Sequence, residues 1–550
     1  MSATASVLII GAGPVGLTMA LDLAWRGIDV TVLECRHANE PPPPKCNHVS
    51  ARSMEIYRRL GLAQDLRNAG LPADYPNDVA YRTAFTGTEF ARIHIPSRQD
   101  RYTDTSGPDG QWPTPEPPHR GNQIFLEPVL FRHAASNPRI TIRNRIEVER
   151  IEELGDGVRV HARDLDASTP CVFDSRYVVG CDGARSVARH AIGAKFEGDA
   201  VVSRVQATYI RAPDLIARQG YDRAWMTNCV NPRRNGNVIA IDGRERWMIF
   251  NYLRPSEPDF DAIDRDAGIR TILGVGPEFR YEILSNEDWY GRRLVASRFR
   301  KGRVFIAGDA AHIWVPYAGY GMNAGIADAT NLSWMLAAHL NGWAPAAILD
   351  AYEAERRPIT EQVSRFAMSH AAQELKRQGA VPADIEAPGE EGDRARVAFG
   401  QLCIDINVHQ YCCGGLNFGA YYDRSPLIAY DGAAHPAYSM SGFTPSTVPG
   451  CRTPHVFLRD GRSLYDAMGA DYTLLRLDAA LDVGALVAAA QLSGLPLRVL
   501  DLAVTEAGSV YASKLVLSRP DQHVAWRGDA VPDDAAALIN RVRGAGQIPA

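Results

Sequence analysis

The stretch from residue 5 to residue 34 permits very few local architectures. ASVLII is a short apolar run of strand length, Gly11-Ala12-Gly13-Pro14-Val15-Gly16 is a G-x-G-x-x-G turn, LTMALDLAWRG reads as a helix closed by Gly27, and IDVTVLE reads as a second strand ending in Glu34. Gly11 permits the tight turn, Gly13 lets backbone N–H groups approach a pyrophosphate at the positive end of the helix, and Gly16 lets helix and strand pack closely. Glu34, 18 residues beyond Gly16, is placed to accept from ribose hydroxyls. A bare glycine motif is weak evidence, but this strand–turn–helix–strand context predicts a dinucleotide site.

Composition narrows the class further. A chain of 550 residues, 46% hydrophobic and 22% charged with a net charge of −5, can bury several cores and suggests three or four domains. It carries no basic field for nucleic acid and no apolar run near the roughly 20 residues of a spanning helix. The first residues lack a basic n-region and run straight into the glycine turn, so a cytoplasmic protein is expected. Nine cysteines include the vicinal Cys412-Cys413 but no C-x-x-C and no metal-ligand spacing. Free thiols are expected instead of disulfides, and no metal site.

Along the chain, Pro41 to Pro44 form a stiff connector. Helical spacing resumes in SARSMEIYRRLGL, with Met54, Ile56, Tyr57 and Leu60 on one face and Gly61 as the stop. Residues 104–121 are rich in Pro and Gly and read as a linker or a lid. Alternating stretches between 139 and 180, then at 202–212 and 237–253, suggest a second, sheet-rich domain threaded through the first. AILDAYEAERRPITEQVSRFAMSH reads as two helical pieces meeting at Pro358. A polar connection at 375–395 precedes a last unit with strands near HVFL, YTLLRLD, LRVLDLAV and KLVLSRPD and a helix in VGALVAAAQLS.

Two further signatures accompany the glycine turn. Val178-Val179-Gly180-Cys181-Asp182-Gly183-Ala184-Arg185-Ser186 puts an acid at a strand end, and Val304-Phe305-Ile306-Ala307-Gly308-Asp309-Ala310-Ala311-His312 does so again. A carboxylate there can accept from a polyol chain, although Asp-Gly alone is foremost a turn signal. The following Pro316-Tyr317-Ala318-Gly319-Tyr320-Gly321-Met322-Asn323 offers small residues and the N–H groups of a new helix to a flat anionic ring. In this order and spacing, the three segments resemble the class A, single-component FAD-dependent aromatic monooxygenases, closest to their phenol-hydroxylase-like branch. The resemblance covers residues 5 to about 375 and extends to Pro449-Gly450-Cys451-Arg452-Thr453-Pro454-His455 and the Leu517–Arg527 stretch near the end.

The resemblance implies an α/β fold: a GR2-type Rossmann-like FAD-binding domain (1–80, 118–185 and 288–375), an inserted β-sheet-rich substrate domain (81–117 and 186–287), a helical connector (376–440) and a C-terminal thioredoxin-like domain (441–550). It implies FAD, with NADPH or NADH and O2 as co-substrates, a small aromatic substrate, and a homodimer or higher homo-oligomer. The expected reaction is hydroxylation of a phenolic ring through a flavin C4a-hydroperoxide. The alternatives are epoxidation or Baeyer–Villiger chemistry on a polyketide or antibiotic, or a non-enzymatic flavin sensor. Cofactor contacts are implied at Gly11, Gly13, Pro14, Val15, Gly16, Glu34, Cys35, Arg52, Gln123, Asp182, Gly183, Gly308, Asp309, Pro316, Gly319, Gly321, Met322 and Asn323.

The chain departs from the family pattern at Ala318, where glycine is usual and where alanine suffices if φ stays negative, at Tyr320, where glutamine is common, and at Lys45, where arginine is usual. By motif register Asn47 or His48 contacts substrate, with His48 a possible base, and Pro316 and Tyr317 flank the ring. The far wall is expected from Tyr221, Trp225, Met226, Asn228 and the strand Arg246-Trp247-Met248-Ile249-Phe250, where Trp247 is a candidate contact. His312 is expected to satisfy backbone groups.

Overall fold

The computed structural model describes residues 5–218 and 223–546. Its first sheet runs in the order Arg300–Lys301, Val304–Ile306, Thr169–Gly180, Ala5–Ile10, Val30–Glu34 and Ile140–Asn144. Ile9 lies opposite Val32 on one side and Val179 on the other, and Val179 lies opposite Phe305, all in parallel pairs. Parallel strands need crossovers that cover both faces, so their sequences run apolar without alternation. Val7, Leu8, Ile9, Val178, Val179 and Phe305 accordingly have no exposed surface. The glycine turn leaves the carboxyl end of the central strand, the edge where open α/β sheets bind ligands.

The alternation over residues 139–180 points to a second sheet, and the structure corrects this. Ile140–Asn144 and the end of Thr169–Gly180 belong to the first sheet, and Ile146–Glu153 with Val158–Asp164 hang on it as an antiparallel meander. Their alternation reflects one solvated face of that appendage.

A second sheet of seven strands runs in the order Glu282–Gly291, Ser203–Arg211, Arg246–Tyr252, Asn235–Ala240, Met226–Val230, Val79–Arg82 and Glu89–Ile93. Register assigns its faces. Asn228, Asn237 and Phe250 form one cross-strand row and Met226, Ile239 and Met248 the next, all on one side. Trp247, Ile249 and Asn251 point to the other side, where the Arg265–Leu273 helix lies close enough that a Cβ on Gly268 would meet Asn251 Nδ2 at 2.6 Å. The Gly389–Tyr411 helix packs against the Glu89–Ile93 edge, with Phe399 and Phe90 ring centroids 6.3 Å apart.

The Ala351–Gly379 helix continues through Pro358, where two pieces were expected. Proline removes one helical hydrogen bond. Tertiary anchors on both sides offset this, since Arg356 pairs with Asp328 and Arg293 reaches both Glu361 and Ser364.

At the C-terminal end, Leu497–Asp501, Tyr472–Arg476, Leu515–Ser518 and Val524–Gly528 form a sheet whose first pair is parallel and the rest antiparallel, as in a thioredoxin-like unit. HVFL forms no strand and makes only a bridge from Phe457 to Ser463. This unit shares the core of the first sheet: the rings of Trp334, Trp343 and Tyr472 lie 6.2 to 6.5 Å from one another. Arg519, with no exposed surface, bonds both oxygens of Glu355 at 2.6 and 2.8 Å and pairs with Asp521 at 2.7 Å.

Candidate active site

The glycine turn is built as its sequence requires. Gly11 has φ +100°, and a Cβ there would sit 2.5 Å from the Cys181 carbonyl oxygen; a Cβ on Gly16 would sit 2.0 Å from the Gly11 oxygen. At Gly13 a Cβ would meet nothing within 4 Å. Pro14 opens the Pro14–Trp25 helix, and no side chain caps it, which leaves its first N–H groups without a side-chain acceptor. Glu34 accepts from Ala12 N at 2.7 Å and from the backbone and Nε of Arg36, and Cys35 Sγ lies 3.4 Å from it. Burial alone would raise the Glu34 carboxyl, but the Arg36 and Ala12 bonds outweigh it and hold it below its ordinary value. Glu34, Arg36, Glu127 and Phe131 line a cleft beside Ala12 that suits a nucleoside. Arg36, which sequence reasoning passed over, pairs with both Glu34 and Glu127.

Deeper in, Gly308 has φ +63°, and Val15 wedges between it and Gly325: a Cβ on either would approach Val15 Cγ2 to 3.0 or 2.6 Å. Asp309 is exposed, with no hydrogen bond to its carboxylate among the described residues. Crowding by the walls raises its carboxyl above the ordinary value against the opposing charges of His312 and Lys45. Asp182 is used locally: Oδ2 accepts from Ala188 N at 3.2 Å, while Oδ1 is buried without a partner beside the open Gly183. His312 does not serve backbone groups as expected. Its Nε2 lies 2.6 Å from Asp328, which also accepts from Gly308 N at 3.2 Å and from Arg356 at 2.8 Å. Asp328 on the Gly321–Leu340 helix therefore fixes the Gly308 turn, a role with no local sequence signal.

The loop expected to hold a ring follows. Pro316 is exposed and Tyr317 half-buried, with Tyr252, Tyr411 and Glu374 in electrostatic reach of its hydroxyl. Burial pushes that hydroxyl well above the ordinary tyrosine value, so it stays protonated. Ala318 has φ +62°, contrary to the expected negative value, and Gly319 has φ +60°. A Cβ on Gly321 would meet nothing within 4 Å, and the helix it opens has no side-chain cap. Met322 is buried just inside that helix. The side chain of Asn323, a residue expected to touch cofactor, is fully used within the protein. It donates to the carbonyls of His48 and Gly319 and accepts from Ser50 N and Ser53 Oγ. It staples the helix start to the segment carrying Asn47 and His48.

Two more expectations change. The Arg52 guanidinium turns toward the C-terminal unit, bonding Glu55, Gln522 and the Asp521 carbonyl. Lys45 pairs with Glu287 at 2.6 Å on the edge of the second sheet. Gln123 N donates to the Lys45 and Cys46 carbonyls and its side chain bonds Glu127 at 2.9 Å, so it anchors the same segment. Asn47 accepts from Asn122 Nδ2 at 2.6 Å.

His48 is buried against Gly319, whose Cβ position lies 3.0 Å from His48 Cβ. Its Nδ1 lies 2.8 Å from Arg120 Nη1. A guanidinium only donates, so Nδ1 accepts and the proton sits on Nε2. Burial first, then the charges of Arg120 and Arg101, push its pKa well below the ordinary value. His48 is thus a neutral Nε2–H donor and not a base, a correction that geometry forces. That Nε2 has no partner among the described residues.

On the second sheet, Trp225 stacks under Arg120 with the guanidinium carbon 4.8 Å from its ring centroid and meets Tyr411 edge-on at 6.4 Å. Asn228 is buried with its amide beside the Tyr411 hydroxyl, in the same row as half-buried Asn237 and Phe250. Trp247 is on the opposite face, 5.4 Å edge-on to Phe85, and is core. Tyr221 lies outside the described residues.

A family model described as FAD binding domain matches residues 4–367, and one described as aromatic-ring hydroxylase, C-terminal, matches residues 446–545. The chain belongs to the FAD-dependent aromatic-ring hydroxylases. It is 32% identical to the FAD-dependent monooxygenase apdD of Emericella nidulans over 566 residues, 98% of this chain and 90% of the relative. Its fold matches the rebeccamycin biosynthetic enzyme RebC with reduced flavin at a TM-score of 0.89 and 32% identity, covering 99% of both chains. It also matches aklavinone-11 hydroxylase in complex with FAD and aklavinone, at 0.80 and 26% identity over 98% of this chain and 99% of that one.

The chain is therefore an FAD-dependent monooxygenase, and its residues fit the cofactor. The uncapped helix start with open space at Gly13 suits the pyrophosphate, the unpartnered Asp309 suits ribityl hydroxyls, and the uncapped start at Gly321 suits the anionic edge of a flavin ring.

Proposed function

We propose that this monooxygenase hydroxylates an electron-rich aromatic of phenolic or aromatic-polyketide type, held between the Pro316–Gly321 loop and the inner face of the second sheet. The observation that carries the reading is the wall itself. The row Asn228, Asn237 and Phe250 and the Trp225–Tyr411 pair face the same interior as half-buried Tyr317, and His48 adjoins Gly319. Flat, mostly apolar walls with a few polar groups suit a planar ring carrying oxygen substituents.

FAD, when bound, supplies the oxygen-activating redox chemistry with electrons from NADPH or NADH. The side chains orient and desolvate. His48 offers a neutral Nε2–H to a substrate oxygen, as a donor that moves no net charge into the site. Tyr317, protonated through the working pH range, offers O–H. Burial of this interior excludes water from the ring.

The test is anaerobic reduction of the FAD-loaded protein by NADPH and by NADH, with and without a panel of mono- and polycyclic phenols, followed by oxygen and product mass. Faster reduction with one aromatic and a product one oxygen heavier are expected. Reduction indifferent to every aromatic, with oxygen yielding only hydrogen peroxide, would overturn the reading.

A further inference from the structure

Two consecutive residues bring the end of the Gly389–Tyr411 helix against the Pro316–Gly321 turn. Gln410 Oε1 accepts from Ala318 N at 3.2 Å. The Tyr411 carbonyl accepts from Arg120 Nη2 at 2.9 Å, and Arg120 Nη1 lies 2.8 Å from Nδ1 of His48, which packs on Gly319. The turn needs such a hold. Ala318 and Gly319 are both left-handed, at φ +62° and +60°, and Ala318 carries a Cβ that disfavours this backbone. A residue kept in a strained backbone region persists only where its surroundings over-determine it.

Gln410 has two amide ends to present to that N–H, and a buried chain behind it decides which. Asn407 accepts from Gln410 Nε2 and donates Nδ2 to Glu374 at 2.7 Å, and Glu374 takes a two-pronged contact from Arg377 at 2.8 and 3.1 Å. All four side chains are buried. Burial alone would raise the Glu374 carboxyl, but Arg377 and Asn407 outweigh it and hold it below its ordinary value, so it is ionised. A carboxylate only accepts, which turns the Asn407 NH2 toward it, the Asn407 oxygen toward Gln410, and the Gln410 oxygen toward Ala318. The Arg377–Glu374 pair thus sets the polarity of a hydrogen-bond chain that ends on the backbone of the turn.

We infer that Gln410 is a positioning residue for the flavin: its oxygen holds the Ala318 peptide, and through it the turn that receives the ring, in the left-handed form. The helix whose first N–H groups suit the anionic edge of that ring starts at Gly321, three residues on, so a released Ala318 peptide would change where this start points. The inference goes beyond the aromatic reading and needs no substrate identity. It gives the Ala351–Gly379 and Gly389–Tyr411 helices, which carry Glu374 with Arg377 and Asn407 with Gln410, a direct hold on the cofactor loop.

The experiment compares wild type with three variants. Gln410→Met keeps the length of the side chain and loses the acceptor, Gln410→Glu keeps a carbonyl acceptor and a hydroxyl donor while protonated, and Asn407→Leu removes the group that orients Gln410. Each is read at pH 6 by amide hydrogen exchange over residues 314–320 of the FAD-loaded protein, by FAD affinity and by visible circular dichroism of the bound flavin. In Gln410→Met, exchange at Ala318 about 10-fold faster, FAD affinity about 10-fold weaker and altered flavin dichroism are expected. Asn407→Leu should move all three the same way by less, and Gln410→Glu should stay near wild type.

Unchanged exchange at Ala318 in Gln410→Met would overturn the inference, and so would faster exchange with the FAD affinity and dichroism of the wild type, which would make the bond structural only. Gln410→Glu behaving as Gln410→Met would also overturn it, by assigning the effect to any change at 410 and not to the acceptor. If Gln410→Met fails to fold, Asn407→Leu decides: wild-type values on all three readouts would overturn the chain. None of these results bears on the aromatic reading, which the product-mass test decides.

Discussion

Single residues decide most of what is chemically distinctive here. Ala318 occupies left-handed backbone at φ +62°, a conformation that costs a residue with a Cβ about 1–2 kcal/mol. Glycine's extra unfolded-state freedom costs about 0.5–1 kcal/mol. Ala318→Gly is therefore expected to stabilise the protein by about 0.5–1 kcal/mol, read as a higher urea midpoint with unchanged slope; a lower midpoint would show that the methyl packs productively. At His48, the Arg120 bond fixes the tautomer, so the side chain should act as a donor. His48→Gln should then retain more aromatic-stimulated flavin reduction than His48→Phe, which cannot donate. Equal loss in both would point to a role for the imidazole that donation does not explain.

At the scale of elements, the sequence was most legible where local chemistry is self-sufficient. The glycine turn, its flanking strands and the capped helix Ala51–Arg59 follow from spacing alone, with Ser50 accepting from Ser53 N as an N-cap does. Legibility failed where direction is set by distant contacts. Trp247 reads as a candidate wall residue from composition, but one residue along a strand reverses the face, and only register with the neighbouring strands puts it in the core. Arg52 sits in its motif, but its guanidinium direction is set by docking of the C-terminal unit. Arg120 sits in a loop with no periodicity, where burial is a tertiary fact. Asp328 is equally silent in sequence, yet it joins His312, Arg356 and the Gly308 turn. Asp328→Asn, which leaves Arg356 buried without a counter-charge, should cost about 3–5 kcal/mol in denaturant unfolding and weaken FAD retention on gel filtration. Unchanged stability would mean that Arg356 finds another acceptor.

Across the whole molecule, the C-terminal unit is bolted to the catalytic body by Arg519 to Glu355, Arg452 to Glu55 and Arg52 to the Asp521 carbonyl. Arg519→Met should destabilise both units together, giving one broadly lowered transition; two separate transitions would show that the interface does not couple them. Acid should act at the same scale. His48 and His119 are buried, and desolvation lowers both pKa values, that of His119 to about 3. Below about pH 6.5 the unfolded chain takes up protons at these positions and the folded chain does not, so stability falls as pH falls. Between pH 7.5 and pH 5 each should remove about 2 kcal/mol, and His119→Asn should abolish its share of that slope.

The central claim is that oxygen from O2 enters an aromatic ring in this interior. Turnover under 18O-labelled dioxygen in unlabelled water, with the product analysed by mass spectrometry, tests it directly. One labelled oxygen in the hydroxylated product is the predicted result. An unlabelled product, or NAD(P)H oxidation matched entirely by hydrogen peroxide for every aromatic supplied, would contradict it.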